Sequence, residues 1–314
     1  MLLFYGYHLK SFINYQEVHA VTSHPSLSTK LIFLAAMALV ATGSAITRAD
    51  QPGLDAVTSA ALDAAINGDQ RSDENKARDK FRHPKETLAF FGFRSDMTVV
   101  EIWPGGGWYT EILAPALKGS GKFYAAQYSL NPDYGYQRRY FGAFLTKLGE
   151  NPKIYRDVEI TALDFPYDLR IAPAGSADMV LTFRNAHNWV NPGYGAHAAA
   201  LAFKVFFDAL KPGGVLGVVD HRWPDAGNED PKAENGYVSE ERIIGLAEAA
   251  GFELAARSDI NRNPRDNHDH PKGVWTLPPT MAMGEEDREK YMEIGESDRM
   301  TLKFVKPAAK TGSD

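Results

Sequence analysis

Three stretches of this chain carry residue types whose spacing can do chemistry. The first is Val99-Val-Glu-Ile-Trp-Pro-Gly-Gly-Gly-Trp-Tyr-Thr110. Consecutive glycines let a backbone pass close to a ligand, and a helix starting behind them offers free N–H groups. The second is Thr182-Phe-Arg-Asn-Ala-His-Asn-Trp189. His187 is the best general-base candidate of the chain, because the free imidazole titrates near operating pH. Asn185 accompanies it as a candidate catalytic residue facing the same cleft. Arg184 is either a clamp for a substrate anion or one half of a buried structural pair. The third is the set Asp220-His221 and His268-Asp-His270, five possible metal ligands. His268 and His270 sit in a run of Asn, Asp, Arg and Pro that reads as a solvated loop, so no metal is expected. Arg138-Arg139, flanked by Tyr134, Tyr136 and Tyr140, reads as a helix face that can also help hold an acidic substrate.

These residues need elements to position them. Leu54 to Ile66 has helical spacing and stops at Asn67-Gly68, and residues 69–80 form a mixed charge run that reads as a solvated linker or helix face. Pro84 suits a helix start and Gly92 its stop. From residue 97 strands and helices alternate: strand Thr98–Trp103, helix Tyr109–Leu117, strand Lys122–Tyr128, helix Gln137–Leu148, then a strand near Ile154–Ala162. Strand Ala177–Phe183, helix Ala196–Leu210, strand Val215–Asp220, helix Glu240–Ala250 and strand Phe252–Asp259 continue the rhythm. Such alternation gives βαβ units and a parallel sheet covered on both faces. Val274–Leu277 and Met300–Val305 look like two strands with no long crossover between them, which predicts an antiparallel edge. In an open parallel sheet ligands sit off the carboxyl ends of the strands, which is where Asn185 and His187 fall.

Two ligand classes use such a glycine turn, dinucleotides and S-adenosylmethionine. Read as G-x-G-x-x-G the turn gives Gly105, Gly107 and then Thr110, and Gln127 stands where an acidic ribose partner would follow the second strand. A nicotinamide-dependent oxidoreductase therefore ranks low. Leu210-Lys-Pro-Gly-Gly214 ends one helix before the next strand, Asp164-Phe-Pro follows the third strand, and Ala250-Gly-Phe252 precedes the sixth. Together with the turn, this order resembles the class I S-adenosylmethionine-dependent methyltransferases over roughly residues 80–306. Glu101–Pro115 and Asn185–Trp189 look closest to a group of bacterial exported methyltransferases. The resemblance implies a doubly wound α/β fold, a mostly parallel seven-stranded sheet with an antiparallel last strand, and methyl transfer from S-adenosylmethionine to a small molecule. It implies that Glu101, Gly105, Gly106 and Gly107 hold the methionine end of the cofactor, Gln127 the ribose, and Asp164 with Phe165 the adenine. Trp103 departs from the family, which has a glycine there: its ring either walls the pocket, blocks it, or belongs to the core. A non-catalytic exported ligand-binding protein on the same fold is the alternative.

The composition agrees with a folded domain: 314 residues, 44% hydrophobic, 24% charged and no cysteine. The absence of cysteine excludes disulfides, cysteine-ligated zinc and thiol nucleophiles. A net charge of −6 argues against a nucleic-acid partner. Lys30 precedes the short apolar run Leu31–Ala41, and small residues follow to Ala45, the pattern of an export signal rather than a membrane span. The expected organisation is an export segment at 1–45, a helical lead-in and linker at 46–80, the α/β domain at 81–306 and a tail at 307–314. The destination is the periplasm or the exterior.

Overall fold

The structure is a computed structural model that describes residues 53–132 and 134–308. The expected export segment lies outside the described residues. Helix α1 spans Ala56–Asn67, followed by two single-turn helices, α2 (Asp73–Lys76) and α3 (Asp79–Arg82), and by α4 (Pro84–Phe91). The alternating part follows as β1 (Thr98–Ile102), α5 (Thr110–Leu117), β2 (Lys122–Gln127), α6 (Gly135–Glu150), α7 (Pro152–Tyr155) and β3 (Val158–Ala162). Then come β4 (Ala177–Phe183), α8 (Ala186–Val190), α9 (Ala198–Ala209), β5 (Leu210–Trp223), the two-residue β6 (Val238–Ser239), α10 (Glu240–Ala249) and β7 (Glu253–Ser258). Helix α11 (Arg288–Ile294) and β8 (Arg299–Val305) complete it.

The strand order is β3-β2-β1-β4-β5-β8-β7, with β6 extending β5. Strands β1 to β5 pair in parallel, and β8 runs antiparallel between β5 and β7. The doubly wound sheet with one antiparallel strand is the architecture the sequence predicts. Its order reverses between β1 and β4, so the chain leaving β1 and the chain leaving β4 flank one crevice. Val99, Val100 and Ile102 of β1 are at most 1% exposed, each stabilising the fold by roughly 1.5–3 kcal/mol. Gly217 of β5 lies flat beneath Phe91 of α4, where a Cβ would stand 2.8 Å from the ring. No helix among the described residues is long and apolar enough to cross a membrane.

One expectation holds only in part and another fails, each for a physical reason. The charge run after α1 is a helix face only in part: it carries α2 and the start of α3, with Asp73, Glu74 and Lys80 exposed, but Arg71 within it and Arg82 just beyond it are buried. Arg71 and Arg82 are each 2% exposed; Arg71 grips Asp79 with two hydrogen bonds of 2.8 and 2.6 Å, and Arg82 reaches Glu296 at 2.9 Å. Within the run Arg71 and Asp79 pair with each other, and Arg78 reaches Glu296 far along the chain at 2.7 Å. Val274–Leu277 is not a strand. Gly273–Thr276 forms a 3-10 turn, anchored by the Val274 N–H on the Asn235 carbonyl at 2.9 Å. Pro278 and Pro279 follow and cannot donate to a ladder. The Lys-Pro-Gly-Gly turn also behaves differently from a simple helix stop. Pairing with β4 jumps from Leu210 to Val215, so these residues bulge out of β5.

Candidate active site

The glycine turn closes β1 in a strained conformation. Trp103 has φ 43°, Gly105 φ 58° and Gly107 φ 82°. Only the glycines adopt such angles without steric cost. A Cβ at Gly105 would meet nothing within 4 Å, so there is open space over that residue. Gln127, fully buried at the end of β2, donates from Nε2 to the Gly105 carbonyl at 2.9 Å, while its Oε1 accepts from the Tyr128 N–H at 3.3 Å. Gln127 therefore fastens the turn instead of facing a ribose. Glu101 is 2% exposed and accepts a 2.6 Å hydrogen bond from the Thr110 hydroxyl at the start of α5. Burial outweighs that hydrogen bond and pushes its carboxyl up to about 8. Glu101 thus braces the end of β1 against the start of α5.

Trp103 resolves the choice that the sequence leaves open. Its ring is 5% exposed, and its Nε1–H donates to the Leu163 carbonyl at 2.8 Å. Around it stand Tyr128 after β2, Phe165 after β3, and Trp189 and Tyr194 after β4, with ring centroids at 4.9, 6.1, 5.4 and 5.4 Å. The indole thus fills the crevice where the sheet order reverses. The space left beside it, lined by Tyr128, Gln137, Asp164, Phe165 and Tyr194 among others, is a cavity of about 90 Å³. Pockets that enclose a cofactor-sized ligand run to roughly 300–1,000 Å³. Asp164 shares a two-way backbone bridge with Asp168, its N–H donating at 2.6 Å and its carbonyl accepting at 2.8 Å. A nucleoside cofactor fits here only in part: the space over Gly105 is open, and the cavity beside the Trp103 indole is smaller than such a ligand.

The second predicted stretch forms a buried polar centre. His187, on the one-and-a-half turns of α8, is 5% exposed, and Asp220 at the end of β5 is fully buried. Asp220 Oδ1 lies 2.8 Å from His187 Nδ1 and accepts the His221 N–H at 2.7 Å; Oδ2 accepts the His187 N–H at 3.1 Å. An ionised carboxylate only accepts, so Nδ1 carries the imidazole proton and Nε2 keeps the lone pair. That arrangement orients a general base. The His221 ring stands 5.1 Å from that of His187, with Nδ1 on the Ser297 hydroxyl. Burial first, and then the positive groups around it, hold His221 well below its ordinary pKa. Asn185 serves another end. Its Nδ2 donates to the Ile102 carbonyl at 2.9 Å and to Thr182 Oγ1 at 3.2 Å, which ties the end of β1 to β4.

His187, Asp220 and His221 can bring one ligand atom each within 4.8 Å of the others. The surroundings are wrong for a cation. Arg78, Arg82 and Arg299 converge on Glu296 at 2.7, 2.9 and 3.0 Å, and Arg184 lies beside them with no acid of its own. His268 and His270 do not join this centre. His270 Nε2 lies 2.8 Å from Asp266, which also accepts from the Tyr237 hydroxyl at 2.9 Å and from the Asp298 N–H at 2.7 Å. The loop that reads as solvated is a knot around a buried aspartate. Arg82, Glu296, Ser297 and Arg299 escape a reading of the sequence. Their only signal is the density of charge in Gly295-Glu-Ser-Asp-Arg299 directly before an apolar strand.

No protein-family model matches this chain, and no curated protein matches it. Solved structures do. The [4+2]-cyclase SpnF aligns over 82% of this chain and 98% of its own, with a TM-score of 0.51 at 16% identity. A protein from Galdieria sulphuraria, described provisionally as a sarcosine dimethylglycine methyltransferase, aligns over 77% of this chain and 89% of its own, with a TM-score of 0.50 at 14% identity. A SAM-dependent methyltransferase from Aquifex aeolicus covers 73% of this chain at 15% identity, 93% of its own length and a TM-score of 0.47. At such identities the likeness speaks for architecture, and with the strand order and the glycine turn it establishes that this chain has the class I methyltransferase fold.

Proposed function

We propose that this protein transfers a methyl group from S-adenosylmethionine to a small-molecule acceptor, and that its cofactor seat is open only when Trp103 leaves it. The observation that carries the reading is a positive-φ glycine turn after β1 together with a base after β4, His187, held by Asp220 of β5. The cofactor, when bound, supplies an electrophilic methyl carbon. Everything else falls to the chain. Gly105 and Gly106 present the turn, Gln127 keeps it in place, and Asp164 and Phe165 border the adenosine side. His187 Nε2 takes a proton from an acceptor hydroxyl or amine, and Asp220 stabilises the imidazolium that results. The apolar run at 31–41 supports export, to the periplasm or beyond.

A second reading, a non-catalytic ligand-binding protein on this fold, is favoured by one observation: the indole stands in the crevice with its N–H satisfied. Isothermal titration with S-adenosylmethionine and S-adenosylhomocysteine separates the two. Methyl transfer predicts weak binding by the natural protein and tighter binding by Trp103→Gly, which restores room in the crevice. No heat from either ligand with either folded protein leaves the binding-protein reading standing alone.

A further inference from the structure

Arg184 is the one arginine of the buried centre without a partner. It follows β4 directly and holds φ 63°, a left-handed conformation that costs a non-glycine residue roughly 1–2 kcal/mol. Its N–H is clamped on the Val219 carbonyl at 2.7 Å, and the next residue, Asn185, is pinned to Ile102. The backbone is therefore over-determined in a pose that aims the guanidinium inward. Such local strain, kept by surrounding contacts, is a mark of functional positions. The side chain carries five N–H donors, and none of them makes a hydrogen bond or an ion pair among the described residues, whereas Arg71, Arg82, Arg222 and Arg299 are all engaged.

The neighbourhood makes this omission costly. Arg78, Arg82, Arg184 and Arg299 share a single carboxylate, Glu296, so four positive groups meet one negative group. Arg78 Nη2 and Arg82 Nη2 are also buried with no hydrogen-bond partner; Arg82 lies over the Trp108 ring at 4.6 Å, which satisfies one face of it. Burial and the other arginines both push the Arg184 guanidinium well below its ordinary pKa. Arg184 itself is half-buried, so its charge is left without a protein partner and with only part of its hydration. A chain whose net charge is −6 has acids to spare, yet among the described residues Arg184 has no acid within ion-pair distance, and the Glu296 beside it is already paired with three other arginines. Arg184 also acts on His221, whose ring stands 5.1 Å from that of His187.

We infer that Arg184 is the receptor for an oxyanion, a carboxylate or phosphate group carried by the small-molecule ligand, which it holds with the ligand's reacting end toward His187 Nε2. A guanidinium fork matches either group with two parallel hydrogen bonds. The missing negative charge of the cluster is then the ligand's own. This names the substrate class for the site proposed above, and it stands whether or not methyl transfer does, because anion binding requires no cofactor.

The test is a cofactor-free thermal-unfolding series on the full chain, at constant ionic strength set with chloride. Malonate forms one arm, inorganic phosphate another and choline the cationic control. The natural protein should gain stability with malonate, with phosphate or with both, and none with choline; the arm that acts identifies the group. Arg184→Met should be at least as stable as the natural protein without anions, since it removes an uncompensated charge, and should lose the response. Arg184→Lys should fall in affinity by about ten- to a hundredfold, as expected when charge remains and the paired hydrogen bonds do not. No anion-specific shift in the natural protein overturns the inference, and so does an Arg184→Met protein that is less stable in chloride alone, which would mark a purely structural arginine. The titration of the natural protein decides the matter even where a variant fails to fold.

Discussion

The Trp103 indole N–H donates to the Leu163 carbonyl at 2.8 Å across the mouth of the parallel sheet. This bond joins the end of β1 to the segment that leaves β3, and it bridges the space in which this fold seats a ligand. The indole is thus a packed part of the core at the crevice. Replacing it with glycine or alanine should destabilise the protein by about 3–5 kcal/mol, as for other buried tryptophans. Urea unfolding measures the loss. If the midpoint does not move, the ring contributes little packing and is free to swing in solution.

Glu101 makes stability depend on pH in a direction opposite to most carboxylates. Its pKa is near 4.5 unfolded and about 8 folded, so between these values the folded state binds the extra proton. The contribution of Glu101 is greatest below pH 4.5, declines as pH rises through the window and levels off above 8. The slope is about 1.4 kcal/mol per pH unit from this one group. Glu101→Gln keeps the shape and cannot titrate. The stability of the variant relative to the natural protein should rise steadily from pH 5 to 8, and unfolding curves taken at unit steps would reveal a flat difference if the carboxyl were ionised in the fold.

Glu296 behaves in the ordinary sense and more strongly. Burial raises its pKa, but Arg82, Arg299, Arg78 and Arg184 together hold it well below the usual carboxylate range. Its contribution is present above the unfolded value of about 4.5 and is lost as pH falls toward the folded one. Glu296→Gln leaves the arginines without their acid and should cost about 3–5 kcal/mol near neutral pH, the usual effect of breaking a buried pair. Calorimetry at pH 7 checks this, and equal melting temperatures would contradict the arrangement.

Asp220 fixes which nitrogen of His187 holds the proton. Asp220→Asn should leave the fold in place and populate both ring tautomers, since an amide can donate as well as accept. Nitrogen-15 shifts of the imidazole in labelled protein report the two forms directly. A single Nδ1–H tautomer in the variant would mean that another group orients the ring. Once an acceptor is known, the same change should lower its turnover by 10²–10⁴-fold, on the order of a general base's contribution.

Much of this protein is written in local pattern. Pro84 and Gly92 bound α4 as their backbone preferences demand, since Gly92 takes φ 80° and its N–H closes on the Ala89 carbonyl. The alternation of apolar runs with helical spacing yields the order of β1 to β5, and the glycines mark the turn beneath the crevice. Periodicity is a short-range property, and a chain of one hundred residues or so of repeated βαβ rhythm leaves few ways to pack.

What only the tertiary structure decided is which polar group meets which. Arg82 and Glu296 are 214 residues apart and 2.9 Å from each other, and no local signal links them. Gln127 reads as a weak ribose ligand and proves to be a fastener of the turn; the aspartate at 266 reads as solvated and proves to be the hub of a knot. Local sequence sets backbone conformation, because sterics act between neighbours. The role of a buried charge is set by the sum of distant groups folded around it, and those distances exist only once the chain has closed.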